Sequence, residues 1–166
     1  MDARHAVTVS AVLALIGAVT SGPLGIWLVG ATHPQPAWRD AATFVAAYHP
    51  IQTLPYVFGL LLVGGFVGLV ASLHALAPQE IRPRTVCAVA LAGAFAAMIF
   101  VNYAVQTTFV PALVTTSSPE NAALISALTM ANPRSLGWAL EMWGYAVLGT
   151  TAWLFVANGP LSVLGG

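Results

Sequence analysis

The sequence predicts an all-α integral membrane protein, a four-helix bundle with short interfacial helices in its two outer loops. Composition is the first observation behind this. Of 166 residues, 58% are hydrophobic and only 6% are charged, against roughly a quarter charged in a soluble domain. Charge placement is the second. Four long stretches, 5–38, 41–79, 85–119 and 142–166, contain no Asp, Glu, Lys or Arg. Each can hold the ~20 residues that cross a bilayer core. Backbone polar groups must be satisfied inside lipid, so the spans are helices. A β-barrel would show short alternating strands, and none is visible. The chain reads as one transmembrane domain over 1–166, in contact with the lipid bilayer along all four spans.

The first span is expected at about 7–30. It follows Arg4 as the apolar part of a signal peptide would, and is expected to be retained. Gly17, Ser21 and Gly25 recur every four positions in it, and Pro23 should kink it. The second span, about 53–77, carries Pro55 near its start and Gly64, Gly68 and Ser72 at the same spacing. The third, about 85–112, carries Ala88, Ala92 and Ala96. Small residues at this spacing let helix backbones approach closely in lipid, within the chain or between copies. The fourth span is expected at about 135–157. Trp27, Trp38, Trp143 and Trp153 are candidate interface anchors.

The connections are unequal. "PQEIRPR" is short and broken by Pro78 and Pro83. In "PAWRDAATFVAAYHP", Pro36 and Pro50 bracket a short helical run with Phe44, Val45 and Tyr48 on one face. In "SSPENAALISALTMANP", Ser118 is an N-cap, Pro119 the first helical residue and Glu120 a first-turn acid. Asn132-Pro133 should end that helix. Its expected apolar stripe is Leu124, Ile125 and Leu128. These two short helices would cover one mouth of the bundle, as headgroup-level connectors or as a lid. Arg4, Arg82 and Arg84 fall on one side of the membrane and Arg39 and Arg134 on the other, which favours cytoplasmic termini.

Several function classes fall away. Zero formal net charge argues against nucleic-acid binding. Cys87 is alone, so it can form neither an internal disulfide nor a CxxC pair. No Walker loop, HExxH or GxSxG pattern occurs.

One carboxylate stands out. In "WALEMWGYAV", Glu141 lies in an apolar run with no other acid or base between Arg134 and the C-terminus. If the fourth helix begins near Ser135, Glu141 is about 9 Å below its start, at 1.5 Å per residue. Its helical neighbours are Gly137, Trp138, Gly144 and Tyr145. The third helix runs the other way and brings Asn102 and Gln106, on one face, to matching depth, with Tyr103 and Thr107 beside them. Amides can donate to a carboxylate. The second helix enters through "YHPIQTLPY", adding His49, Gln52 and Thr53, and Thr20 and Ser21 of the first reach similar depth. Ionisable groups in a bilayer usually face the protein interior or a water-filled cavity. The candidate ligand-binding residues are therefore Glu141, Gln106, Asn102, Tyr145, Trp138, His49 and Gln52. The bland counterpart is a polar tie that holds helices three and four in register.

Histidine is a weaker signal. His33 and His49 flank the first outer loop and could join Glu141 around a metal, but the spacing matches no signature. His74, near the cytoplasmic end of helix two, could hold a tetrapyrrole through its ring nitrogen, and His5 reads as tail. The C-terminal third, "ANPRSLGWALEMWGYAVLGTTAWLFVA", resembles a broad group of uncharacterised bacterial multi-span membrane proteins. The matching residues are Asn132, Pro133, Trp138, Ala139, Leu140, Glu141, Gly144 and Tyr145. "NYAVQTTFVPALV" is similar to the helix before this motif in the same group. The resemblance implies that Glu141 belongs to a recurring pattern and implies no activity.

The expected function is non-enzymatic: an outward-facing polar pocket around Glu141 for a small amphipathic or apolar ligand, or a lipid. One alternative is an accessory subunit docking against a larger pigment or respiratory membrane complex through its small-residue faces. Another is a small proton-coupled transporter acting as an oligomer, although no inverted repeat is evident. Topology is directly testable. In a Cys87→Ser background, cysteines introduced at Thr43 and Asn121 should react with an impermeant thiol reagent on intact cells. Labelling of both only after permeabilisation reverses the orientation.

Overall fold

The computed structural model describes residues 2–116 and 118–156, all helix and connecting loop with no strand among them. The end of the expected fourth span at 157 and the C-terminal tail lie outside the described residues. The helices, in order, are α1 (Ala3–Ser21), α2 (Pro23–Thr32), α3 (Ala41–Ala47), α4 (Leu54–Ala75), α5 (Arg82–Ala104), α6 (Val110–Thr115), α7 (Pro119–Leu128) and α8 (Leu136–Val156). Among the described residues three continuous helical segments are long and apolar enough to cross a membrane: Ala3–Thr32, Pro50–Ala75 and Gln79–Thr115. That is consistent with a membrane protein. α8, at the fourth expected span, has 21 residues but is not one of the three. Its carboxylate, paired threonines and aromatic side chains lower its mean hydropathy.

The kink expected at Pro23 takes the form of a break. The chain breaks at Gly22, whose N–H still reaches the Ala18 carbonyl at 3.0 Å, and Pro23 opens α2. Pro55 lies in the first turn of α4, where its missing N–H breaks no bond, so it starts a helix rather than kinking one. A 3₁₀ turn over Pro50–Thr53 leads into it.

α1 packs along α4, α4 against α5, and α5 against α8; among the described residues neither α1 nor α2 packs along α8. The long helices therefore form an open row. Its tightest joint is α1 against α4. A Cβ on Gly17 would overlap the Leu62 backbone, and one on Gly65 would overlap the Ala14 backbone. The two glycines thus bring backbone onto backbone from opposite sides. Of the stripe expected on the second span, Gly68 faces α1, whereas Gly64 faces open space and Gly65 takes its place against α1. Ala88, Ala92 and Ala96 are buried, beside Phe95 and Ile99 in the middle of α5. The most exposed side chains of the long helices include the apolar Leu15, Trp27 and Trp143, which is consistent with a lipid environment.

α5 does not end as a plain helix. Residues Val105–Phe109 form a π turn, closed by a Val110 N–H to Val105 carbonyl bond, and α6 continues from it. Pro111 explains the widening. It has no N–H for the Thr107 carbonyl and its ring would crowd that group. The hydroxyls of Thr107 and Thr108 back-bond to the carbonyls of Tyr103 and Ala104.

α3, α6 and α7 pack together as a cap over one end of the row, around Ala41, Phe44, Val110, Leu113 and Ile125. Trp38 packs against this cluster instead of serving as a free anchor, whereas Trp27, Trp143 and Trp153 are exposed. Ser118 caps α7 as expected from sequence, its Oγ accepting from the Asn121 N–H at 3.3 Å. α7 ends at Leu128, before Asn132-Pro133. Ile125 is 1% exposed and Leu124 45%, so the inward stripe is Ala122, Ile125 and Leu128, and Leu124 points away. Asp40 caps α3 by accepting from the Thr43 N–H at 2.7 Å, a bond that holds its carboxyl below the usual carboxylate range. That contribution is present above the unfolded pKa and is lost as pH falls through the lowered folded value. Burial pushes the Tyr48 hydroxyl up.

Gly17→Ala should lower stability in detergent by about 1–3 kcal/mol, since the added methyl must separate two backbones. Gly64→Ala should be neutral or gain up to about 1 kcal/mol of helix propensity. Denaturant unfolding of the two variants side by side measures the difference.

Candidate functional site

Beneath the cap, α5 and α8 place three polar side chains in one line. Ser135 begins α8 by accepting from the Trp138 N–H at 3.0 Å. Glu141 follows within two turns and is 7% exposed. Gly137 and Gly144 flank it on the face against α5. A Cβ at Gly137 would stand 2.9 Å from Gln106 Nε2 and 3.1 Å from Asn102 Oδ1, and one at Gly144 would stand 2.6 Å from Ile99 Cδ1. Gly59 of α4 gives way in the same manner to the Tyr103 ring. Small residues on α4 and α8 therefore make room for larger side chains of α5 and the turn that follows it.

The hydrogen bonds run in a fixed direction. The Met130 backbone N–H donates to Gln106 Oε1 at 3.1 Å. A backbone N–H can only donate, so it fixes which end of the Gln106 amide is oxygen. Gln106 Nε2 then donates to the Leu128 carbonyl at 2.8 Å and to Asn102 Oδ1 at 3.3 Å. Asn102 in turn points Nδ2 at Glu141 Oε2, at 2.9 Å, and at the Met130 sulfur, at 3.1 Å. Tyr103 O–H donates to the other carboxylate oxygen, Oε1, at 3.0 Å. Every partner of the carboxylate among the described residues is neutral.

Glu141 also borders a cleft of about 490 Å³, within the ~300–1,000 Å³ of ordinary small-molecule sites. The cleft occupies the gap between α1–α2 and α8. Ser21, Gly22, Ile26 and Gly30 form one wall, and Glu141 and Tyr145 the facing one. Tyr56 and Tyr103 stand at the back, their ring centroids 5.4 Å apart. Gln35, Gln52 and Met130 close the cap end. Gln52 is buried. Its Nε2 donates to the carbonyls of His33, at 3.1 Å, and Ala47, at 3.0 Å. Its Oε1 is buried without a partner among the described residues.

Of the residues singled out from sequence, Glu141, Asn102 and Gln106 come together, and Glu141, Gln52 and Tyr145 line the cleft. Gln106 reaches Glu141 only through Asn102. Trp138 and His49 are not brought in. The Trp138 ring is partly exposed outside the cleft lining. His49 stacks on His33 at a 3.6 Å centroid separation, and its Nδ1 accepts from the Ile51 N–H. Neither histidine approaches Glu141 as a metal ligand would, and no cluster of three His, Cys, Asp or Glu occurs among the described residues. His74 lies about 27 Å along α4 from Tyr56, at 1.5 Å per residue. There its Nδ1 shares a 2.7 Å hydrogen bond with Thr85, tying α4 to the start of α5.

Sequence reasoning set Tyr103 beside the line instead of in it, and missed Tyr56 and Met130. Tyr56 had a readable signal, since it lies one helical turn after Gln52 at the depth already assigned to the site. Met130 had none, because its role belongs to a backbone N–H in a loop.

Comparison with protein-family models, curated proteins and solved structures finds no match for the chain, so the site is read from its geometry. Gln106→Leu leaves the Met130 N–H and the Leu128 carbonyl without their partners. It should cost about 1–3 kcal/mol and speed amide exchange at 128–130 ahead of the rest of the chain. Hydrogen exchange with mass readout tests this, and uniform exchange across the chain would contradict a local role.

Proposed function

We propose that the chain is a non-enzymatic integral membrane protein of four spanning helices, with both termini cytoplasmic, whose cleft beside Glu141 binds a small amphipathic molecule or a lipid. The observation that carries this is the cleft itself. It is of small-molecule size, its walls are mostly apolar, and its few polar groups converge beside one buried carboxylate. This is the usual make-up of a ligand pocket.

α8 as the fourth span is supported by its length, about 31 Å at 1.5 Å per residue, which matches a hydrocarbon core of ~30 Å. Its packing along α5 and the exposed apolar side chains of Leu136, Met142 and Trp143 fit the same role. The arginine balance supports the orientation. In that orientation the cap lies on the outer side, and the cleft opens between α2 and α8 below it.

A second reading, an accessory subunit of a larger membrane complex or a homo-oligomer, is favoured by one observation. Gly64 of α4, Gly93 of α5 and Gly149 of α8 have open space where a Cβ would stand. Unfilled small-residue positions let another helix approach closely.

Native mass spectrometry of protein released directly from membranes separates these readings. The ligand reading expects a single chain carrying a bound small molecule or lipid. Gly30→Trp should abolish that adduct without unfolding the protein, because Gly30 borders the cleft and has open space before it. Larger subunits in fixed ratio, with no adduct sensitive to Gly30→Trp, would favour the second reading instead.

A further inference from the structure

The chemistry of the cleft limits its occupant. Both oxygens of Glu141 are addressed by donors, Asn102 on one and Tyr103 on the other. That arrangement is organised around a carboxylate acting as acceptor. Among the described residues the chain supplies it no cation: those bordering the cleft include no Arg, Lys or His, and Arg134, the nearest base in sequence, is exposed. Three tyrosines, Tyr56, Tyr103 and Tyr145, border the same space. Aromatic faces attract cations, most strongly where water is scarce. Gln52 adds a buried acceptor, Oε1, that has no donor.

An anionic headgroup would meet the carboxylate with nothing to balance it. A purely apolar occupant would bring Glu141 no counter-ion and Gln52 Oε1 no donor. A divalent metal takes several oxygen ligands, and Glu141 is the one carboxylate bordering the cleft. We propose that the ligand is a monovalent organic cation: a substituted ammonium, held between Glu141 and the tyrosines, on an apolar tail that lies along Ile26 and Val29 of α2. This rests on the reading of the cleft as a ligand site.

The test uses the full chain in nanodiscs of zwitterionic lipid. Binding is measured for octyldimethylammonium, whose N–H can donate to Gln52 Oε1, for its neutral isostere with carbon in place of nitrogen, and for octyl sulfonate. The cation should bind roughly tenfold or more tightly than the isostere, the scale of a desolvated cation–π and ion-pair site. Glu141→Gln should collapse that preference to within roughly twofold, through weaker binding of the cation. Should that variant fail to fold, Tyr145→Leu removes one ring and leaves both hydrogen bonds to the carboxylate, and should reduce the preference severalfold. Equal binding of cation and isostere, or preference for the sulfonate, would overturn the inference. If that binding is nonetheless blocked by Gly30→Trp, the cleft survives as a ligand site. Binding of none of the three probes, or binding indifferent to Gly30→Trp, overturns both readings.

Discussion

A buried carboxylate with no cation beside it must be satisfied by neutral donors, and much of this molecule is arranged around that requirement. Leaving such a group unanswered in an apolar medium costs several kcal/mol. Here the answer comes through a relay that begins at a backbone N–H and passes through two amides, each orienting the next. The relay needs Gln106 at one height on α5, a loop that turns Met130 towards it, and a helix α8 close enough to meet Asn102. Gly137 and Gly144 supply the closeness, and the end of α7 at Leu128 supplies the turn. The cap is thereby fastened to the long helices by Gln106 as well as by its own apolar cluster.

α5 is the common partner. It packs on α4 with one face and on α8 with another, and it carries Asn102, Tyr103 and, on the π turn that follows, Gln106. Among the long helices of the described residues, the two end members of the row each pack along one neighbour. That leaves a gap between them with tyrosines behind it and a carboxylate on one edge. The arrangement differs from a closed four-helix bundle, in which the first and last helices would also touch.

The parts of this organisation that are legible in sequence are those set by composition and helical period. Long charge-free runs give the apolar helices. The i, i+4 spacing gives the pairing of Asn102 with Gln106. Counting residues from each helix end brings Glu141 and Asn102 to the same depth. The short helices of the loops are legible from Ser118 and the flanking prolines, whereas the cap at Asp40 comes only with the structure. What is not legible depends on phase and on backbone groups. On α4 it is Gly65 and not Gly64 that meets α1 together with Gly68, because helix rotation is set by the partner, not by spacing. Leu124 and Ile125 are adjacent and equally apolar, so only packing decides which turns inward. The donor from Met130 has no side-chain signature. Trp138 and His49 are at suitable depth or distance along the chain and still point elsewhere, because depth does not fix azimuth.

The π turn at 105–109 has a geometric consequence for the cap. A π turn accommodates one residue more than an α turn, so the chain after it is rotated by about 100° relative to an uninterrupted α-helix of 3.6 residues per turn. Val110 and Leu113 enter the cap cluster in this rotated frame, while Asn102 and Tyr103 face Glu141 in the unrotated one. One continuous rod therefore presents two separately aimed faces, and the length of the chain between them is quantised. A single-residue deletion would realign the two frames and turn one of the faces off its target.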